Sequence, residues 1–332
     1  MVTAGGYNPP PPFPFTVERF IDEISSDRME TAAQACAAFA AIAAAQSQVA
    51  TVPPSFRAAV PGVVALLTRR DGDFGAAAVK VSATAALSAL LACVEGAAAD
   101  AVREGVVTKL LGEAAALARE AGEGAGGVSD LDLNALDCLR ILASDDTGAA
   151  SLIADDEAMA FVTARCGVVV GGGGGGSGGS ELGTGDPQPH QSIPTDTAAV
   201  SETALDVLCV LASKRTDGGA SRTAVVRAGG VTALARGLVS STGLEVTMRA
   251  LLGLAMTTSG LPQQAELAAV PGAVPALVAA SRSQDQAVAG VSKDLWGVLG
   301  RNEEVKPMLA AALRAHMEGQ RRQGAVEGMD VV

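Results

Sequence analysis

With 332 residues the chain is long enough for two globular domains or for one elongated array, and either would bury a substantial core. Apolar residues make up 48% and aromatics only 3%, so that core has to be filled by Leu, Val and Ala packed through methyl-sized contacts. The net charge of −12 argues against affinity built on neutralising phosphates, which needs clustered Lys and Arg, so nucleic acid is not an expected partner.

The first fifteen residues hold no basic start leading into an apolar run. No stretch is at once uncharged, apolar and 18 residues long, so direct membrane insertion is not expected. Residues 9–15 read PPPPFPF, which predicts a Pro-rich flexible tail over 1–14; such a run could also dock on an aromatic-lined groove. Helices are predicted over 17–24 and 29–46, and together they make the least regular unit of the chain.

From there the chain repeats itself. Segments 61–67 (PGVVALL), 104–111 (EGVVTKLL), 229–238 (GGVTALARGL) and 272–280 (GAVPALVAA) each enter on glycine followed by apolar residues. Leu66, Leu110, Leu234 and Leu277 stand 44, 124 and 43 apart, giving a unit of about 43 residues. Segment 155–162 (DDEAMAFV), anchored on Phe161, divides the long gap into 51 and 73. The excess in each part coincides with a glycine-rich stretch, 121–129 and 171–194. Glycine and proline are costly inside helices, so both stretches are predicted loops.

A longer helix comes after each of these elements. ALDCLRILAS at 135–144 and ALDVLCVLAS at 204–213 are identical at seven of ten positions, with apolar residues at i, i+1, i+4, i+7 and i+8. Related blocks occupy 83–94 and 248–260. Residues Ser129 to Asp132 and Thr195-Asp196 read as helix caps.

This pattern resembles the armadillo repeat family, in which a short helix, a helix opening on Gly-x-apolar-Pro-x-Leu and a long helix make one unit. Gly272-Ala273-Val274-Pro275-Ala276-Leu277 carries that signature most closely, its proline in a first turn where the missing N–H does no harm. The resemblance implies an all-α fold, a right-handed superhelical solenoid of about six armadillo-type repeats. The repeat domain is expected over 15–317, with a Gly-rich loop inserted at about 168–195 and a flexible tail over 318–332.

Such arrays hold partners along a concave groove lined by the long helices. The non-core charges there are Lys80, Asp137, Arg140, Asp206, Arg249, Lys293, Asp294 and Arg301. Their signs are mixed, and most solvated helix-face charges bind nothing. Trp296 joins the groove candidates as the one indole, with packing its commoner role. Nuclear-import adaptors of the family carry a Trp and Asn ladder on successive third helices. Here only Trp296 is present, with Asn302 six positions on, so that function is not carried over. The long basic groove of junctional armadillo proteins is missing too.

Other chemistry is sparse. Cys36, Cys93, Cys138, Cys166 and Cys209 are odd in number and form no CxxC pair, which fits free thiols in a reducing compartment. With His190 and His316 the only histidines, neither a metal site nor a Ser-His or Cys-His nucleophile is expected, and no cofactor is implied. No Gly-Lys-Ser/Thr follows the glycine tract, so it is not a phosphate loop. Asp145, Asp146, Asp155 and Asp156 lie at helix ends, where acids cap. Segment 302–323 is predicted to be a closing helix with a small basic tip that could bind an acidic partner.

The expected function is therefore a non-catalytic scaffold or adaptor, a monomeric solenoid that takes a protein or peptide partner in its groove in the cytoplasm. A fixed subunit of a large microtubule-based, ciliary or membrane-associated complex is the first alternative. A helical enzyme or regulatory enzyme subunit, resting on the carboxylates at 145–156, is the second.

Overall fold

The computed structural model describes residues 16–46, 52–69, 76–120, 130–166, 197–241 and 243–327. The proline run, both glycine-rich stretches, the caps read at Ser129 and Thr195, and His190 lie outside these residues. So does the chain after residue 327.

Every regular element among the described residues is helical. The order is α1 (Val17–Ile24), α2 (Met29–Gln46), a 3-10 helix (Pro54–Ala59), α3 (Val60–Leu67), α4 (Ala76–Cys93), α5 (Ala97–Arg103), α6 (Val106–Glu120) and α7 (Asp130–Ser144). Then come α8 (Asp146–Ala154), α9 (Asp156–Arg165), α10 (Thr197–Ser213), α11 (Ala220–Arg227), α12 (Gly230–Ser240) and α13 (Leu244–Thr257). The last are α14 (Leu261–Ala269), α15 (Ala273–Ala280), α16 (Gln286–Gly300) and α17 (Lys306–Glu327).

This order makes six units: α1 with α2; the 3-10 helix with α3 and α4; and then the triplets α5–α7, α8–α10, α11–α13 and α14–α16, with α17 after the last. The third helices carry one burial pattern. Ala83, Thr84, Ala86, Leu87, Leu90 and Leu91 of α4 are buried, and so are Ala135, Leu136, Cys138, Leu139, Leu142 and Ala143 of α7. Ala204, Leu205, Val207, Leu208, Leu211 and Ala212 of α10 repeat it, as do Ala250, Leu251, Gly253, Leu254 and Thr257 of α13 with Thr258 just after it. A stripe this wide leaves one open face per helix.

The described residues divide into two compact units, the first ending at Ala158 and the second beginning at Met159, inside α9. In the first, α2 packs on α4 and α4 on α7. Three of the chain's seven phenylalanines gather at its start, Phe20 stacked on Phe39 at 4.7 Å and Phe56 within 5.9 Å of both. Leu, Val and Ala fill the rest. In the second unit α10 packs on α13 and α13 on α16, while α17 covers part of α14 and α15.

The glycine entry has a backbone cause at Gly272, whose φ of +82° puts it in the left-handed region that only glycine enters freely. Gly62 serves packing instead: a Cβ there would come within 2.9 Å of Ile24 Cδ1 on α1. On α9 the anchor differs from the expected Phe161. Ala158, Met159 and Val162 turn inward at i, i+1 and i+4, and Val162 is 1% exposed, whereas Phe161 is half-buried with the Arg165 guanidinium 4.6 Å above its ring. Helix α17 runs to Glu327, past residue 318 where the tail is expected to begin.

Candidate partner-binding face

The register of the third helices places the candidate residues. Counting from the first buried alanine, the third position is Ala85, Asp137, Asp206 and Leu252 on α4, α7, α10 and α13, and the seventh is Ala89, Ile141, Val210 and Met256. On α16 the same positions are Asp294 and Val298. These positions lie on the open face, directly opposite or flanking the buried stripe.

In the first unit Asp137 is a junction. Its carboxylate accepts hydrogen bonds from Ser88 of α4 and from Arg140 Nη2 and Nε, the last two at 2.6 and 3.0 Å. Asn134, one turn earlier, donates to the Val81 carbonyl at 3.5 Å. Lys80 is elsewhere. Its side chain is 12% exposed and forms an ion pair with Glu113 of α6, so it points into the layer between helices.

The second unit repeats the device with different residues. Arg249 Nη1 of α13 reaches Asp206 Oδ2 of α10 at 2.9 Å, and its Nη2 pairs with Glu245 one turn back. One guanidinium thus joins two carboxylates across neighbouring third helices, leaving one net negative charge. The Cys209 thiol donates to the Arg249 carbonyl at 2.8 Å, locking the same pair of helices. Asp294 and Arg301 are exposed on the open face of α16 and just after it.

Trp296 and Lys293 sit differently. Trp296 shares the register of Leu139, Leu208 and Leu254, all fully buried, but α16 is the last third helix and the indole is half-buried. Lys293 lies on that same terminal side and is exposed. Asn302 is engaged in the fold: its Nδ2 donates to Gln264 Oε1 at 3.1 Å, and Gln264 Nε2 donates to the Thr258 carbonyl.

The residues that a charge-based reading misses are apolar. Leu252 is 42% and Val298 40% exposed, with Val210 and Met256 half-buried beside them. Aligning the third helices on their buried stripe, rather than scanning for charge, brings them out.

The rest of the described chain offers little chemistry. Asp145 accepts from the Gly148 N–H at 2.9 Å, and Asp155 from the Glu157 and Ala158 N–H groups, so both carboxylates cap helices. Burial pushes the thiols of Cys36, Cys166 and Cys209 up to about 12, and that of Cys138 well up, so all four stay protonated and pack as small apolar groups. Cys93, the last residue of α4, is exposed. Among the described residues no three His, Cys, Asp or Glu side chains converge on a metal-sized site, and no helix is long and apolar enough to cross a membrane.

No protein-family model matches the sequence, and no curated protein matches it significantly. Solved structures do resemble it. A designed armadillo repeat protein matches with a TM-score of 0.59 and 15% identity over 86% of this chain and 100% of its own. An engineered protein from a structural genomics consortium matches with a TM-score of 0.57 and 21% identity over 88% and 97%. A designed armadillo repeat protein in complex with the peptide (KR)4 matches with a TM-score of 0.55 and 14% identity over 85% and 98%. The chain has an armadillo-like, all-α repeat fold, and its structural neighbours are repeat proteins.

Proposed function

We propose that this protein is a non-catalytic scaffold or adaptor that binds a protein partner on the open faces of its third helices, the faces an armadillo array turns to its concave side. The observation that carries this reading is the placement of Asp137, Arg140, Asp206 and Arg249. All four stand on third-helix open faces, held by hydrogen bonds and ion pairs to a neighbouring third helix or along their own. Side chains fixed in this way are ordered before a partner arrives, which lowers the entropy cost of binding. The designed armadillo neighbour in complex with a peptide supports a protein or peptide as the class of partner. The five free cysteines fit a reducing compartment such as the cytoplasm. Lys80 is left out of the proposed surface, and Lys293, Trp296 and Arg301 belong to its end.

Charge reversal tests the reading. Arg140→Glu, Arg249→Glu and Lys293→Glu are compared with Arg103→Glu and Arg227→Glu on the first helices, in quantitative affinity purification with the full chain. The third-helix variants are expected to lose partners that the first-helix variants retain. Equal retention by both sets, with unchanged melting, would place the binding surface elsewhere.

A further inference from the structure

The third-helix face of the second unit is zoned. Val210, Met256 and Val298 form one row across α10, α13 and α16, with Leu252 beside it. On the N-terminal side of that row stand Asp206, Glu245 and Asp294, where Arg249 neutralises one charge. On its C-terminal side stand Arg222 and Arg301. Arg222 reaches over from α11, its Nη2 3.9 Å from Met256 Sδ and its Nε 3.5 Å from the Ala212 carbonyl at the end of α10. Arg301 comes just after α16 and is exposed. The face therefore runs acidic, apolar, basic.

The geometry points to one amphipathic helix of a partner protein as the occupant. This inference rests on the third-helix face being the binding surface, and adds the partner's shape and polarity. Packed helices lie about 8–10 Å apart, so successive rungs of the row have about that spacing. A helix returns a side chain to the same face every seven residues, a rise of about 10.5 Å, and so meets each rung once per heptad. In a β-strand, residues three apart span a similar distance but point to opposite faces. A polyproline helix matches the spacing at about 9.3 Å per turn, but such segments dock on aromatic-lined grooves and this row is aliphatic. Charge complementarity fixes the orientation: the helix turns a cationic flank to Asp206 and Asp294 and an anionic flank to Arg222 and Arg301.

The test uses a hydrocarbon-stapled synthetic helix of about 21 residues, or three heptads, with Leu on one stripe, Lys on one flank and Glu on the other. A second stapled peptide exchanges the Lys and Glu flanks, and a third carries central prolines that forbid a helix. Binding to the full chain is read by fluorescence anisotropy at low salt. The first peptide is expected to bind about tenfold more tightly than the flank-exchanged one, and more tightly still than the proline peptide. Leu252→Asp and Val298→Asp, at exposed positions where the fold tolerates a carboxylate, are expected to weaken it about tenfold with melting unchanged. Equal binding of all three peptides, no binding by the first, or full affinity in the Asp variants overturns the inference. So does sedimentation showing a dimer that Val298→Asp dissociates, because the occupant would then be a second copy. Should the charge-reversal experiment succeed while the stapled helix fails, the scaffold function stands and the helical partner falls.

Discussion

Leu208 is fully buried in α10 and Leu252, in the neighbouring third helix, is 42% exposed, so the same truncation separates core from surface. Leu208→Ala is expected to cost about 2–5 kcal/mol in chemical denaturation. Leu252→Ala should stay within about 0.5 kcal/mol. Gly96 makes a second residue-level case. Its φ is +78°, and a Cβ there would lie 2.7 Å from Arg57 Nη1. Gly96→Ala combines left-handed strain of about 1–2 kcal/mol with displacement of the guanidinium, and a lowered melting midpoint should report both. That guanidinium donates to Asp100 from Nε at 2.5 Å and from Nη2 at 2.8 Å, and Arg103 donates to the same carboxylate. The hydrogen bond from Arg57, ahead of the other contacts, holds the Asp100 carboxyl at about 2, below its usual 3.8. The stabilisation is complete above pH 3.8 and disappears as pH falls through about 2. Denaturation of wild type and Asp100→Asn from pH 6 to pH 2 should show wild type ahead at the upper end and the two converging at the lower. A constant difference would remove the ion pair from the account. Charged residues such as Asp137, Asp206 and Arg249 were legible because charge is visible in a sequence. Lys80 shows the limit, since only tertiary packing reveals that Glu113 takes it inward.

Among the elements, the second helix α12 takes its N-terminal cap from the neighbouring repeat, whereas α9 is capped by Asp155 just ahead of it. α12 opens on Gly229 and has no side-chain cap of its own. Glu266, from the first helix of the next unit, supplies one: its Oε1 accepts from the Thr232 N–H at 3.1 Å and from the Thr232 hydroxyl at 2.7 Å. Capping thus stitches adjacent units as well as ending a helix. Glu266→Ala is expected to cost about 1 kcal/mol, read as a shift in denaturation midpoint at unchanged slope. The third helices were plain in the sequence because their stripe repeats nearly residue for residue, as at 135–144 and 204–213. Short first helices were not. Ala97–Arg103, AAADAVR, offers seven residues with three successive alanines and no periodic contrast between faces. Phe161 is the largest apolar residue of α9, yet register gives the core position to the smaller Val162.

For the molecule as a whole, the repeat period fixes an armadillo-like fold, and the structural neighbours agree. The period says nothing of a partner, because the positions that repeat are buried and the exposed ones are free to differ from unit to unit. On these open faces Ala85, Asp137, Asp206, Leu252 and Asp294 occupy one equivalent position with three chemistries. The central claim, that the third-helix faces do the binding, is tested most directly by a photoreactive residue placed singly at Leu252, at Val298, and at Thr223 on the first helix α11. Cross-linking in cells is expected to join the same partner to positions 252 and 298 and to leave 223 unlinked. A partner captured at 223 and at neither of the other two would contradict the claim.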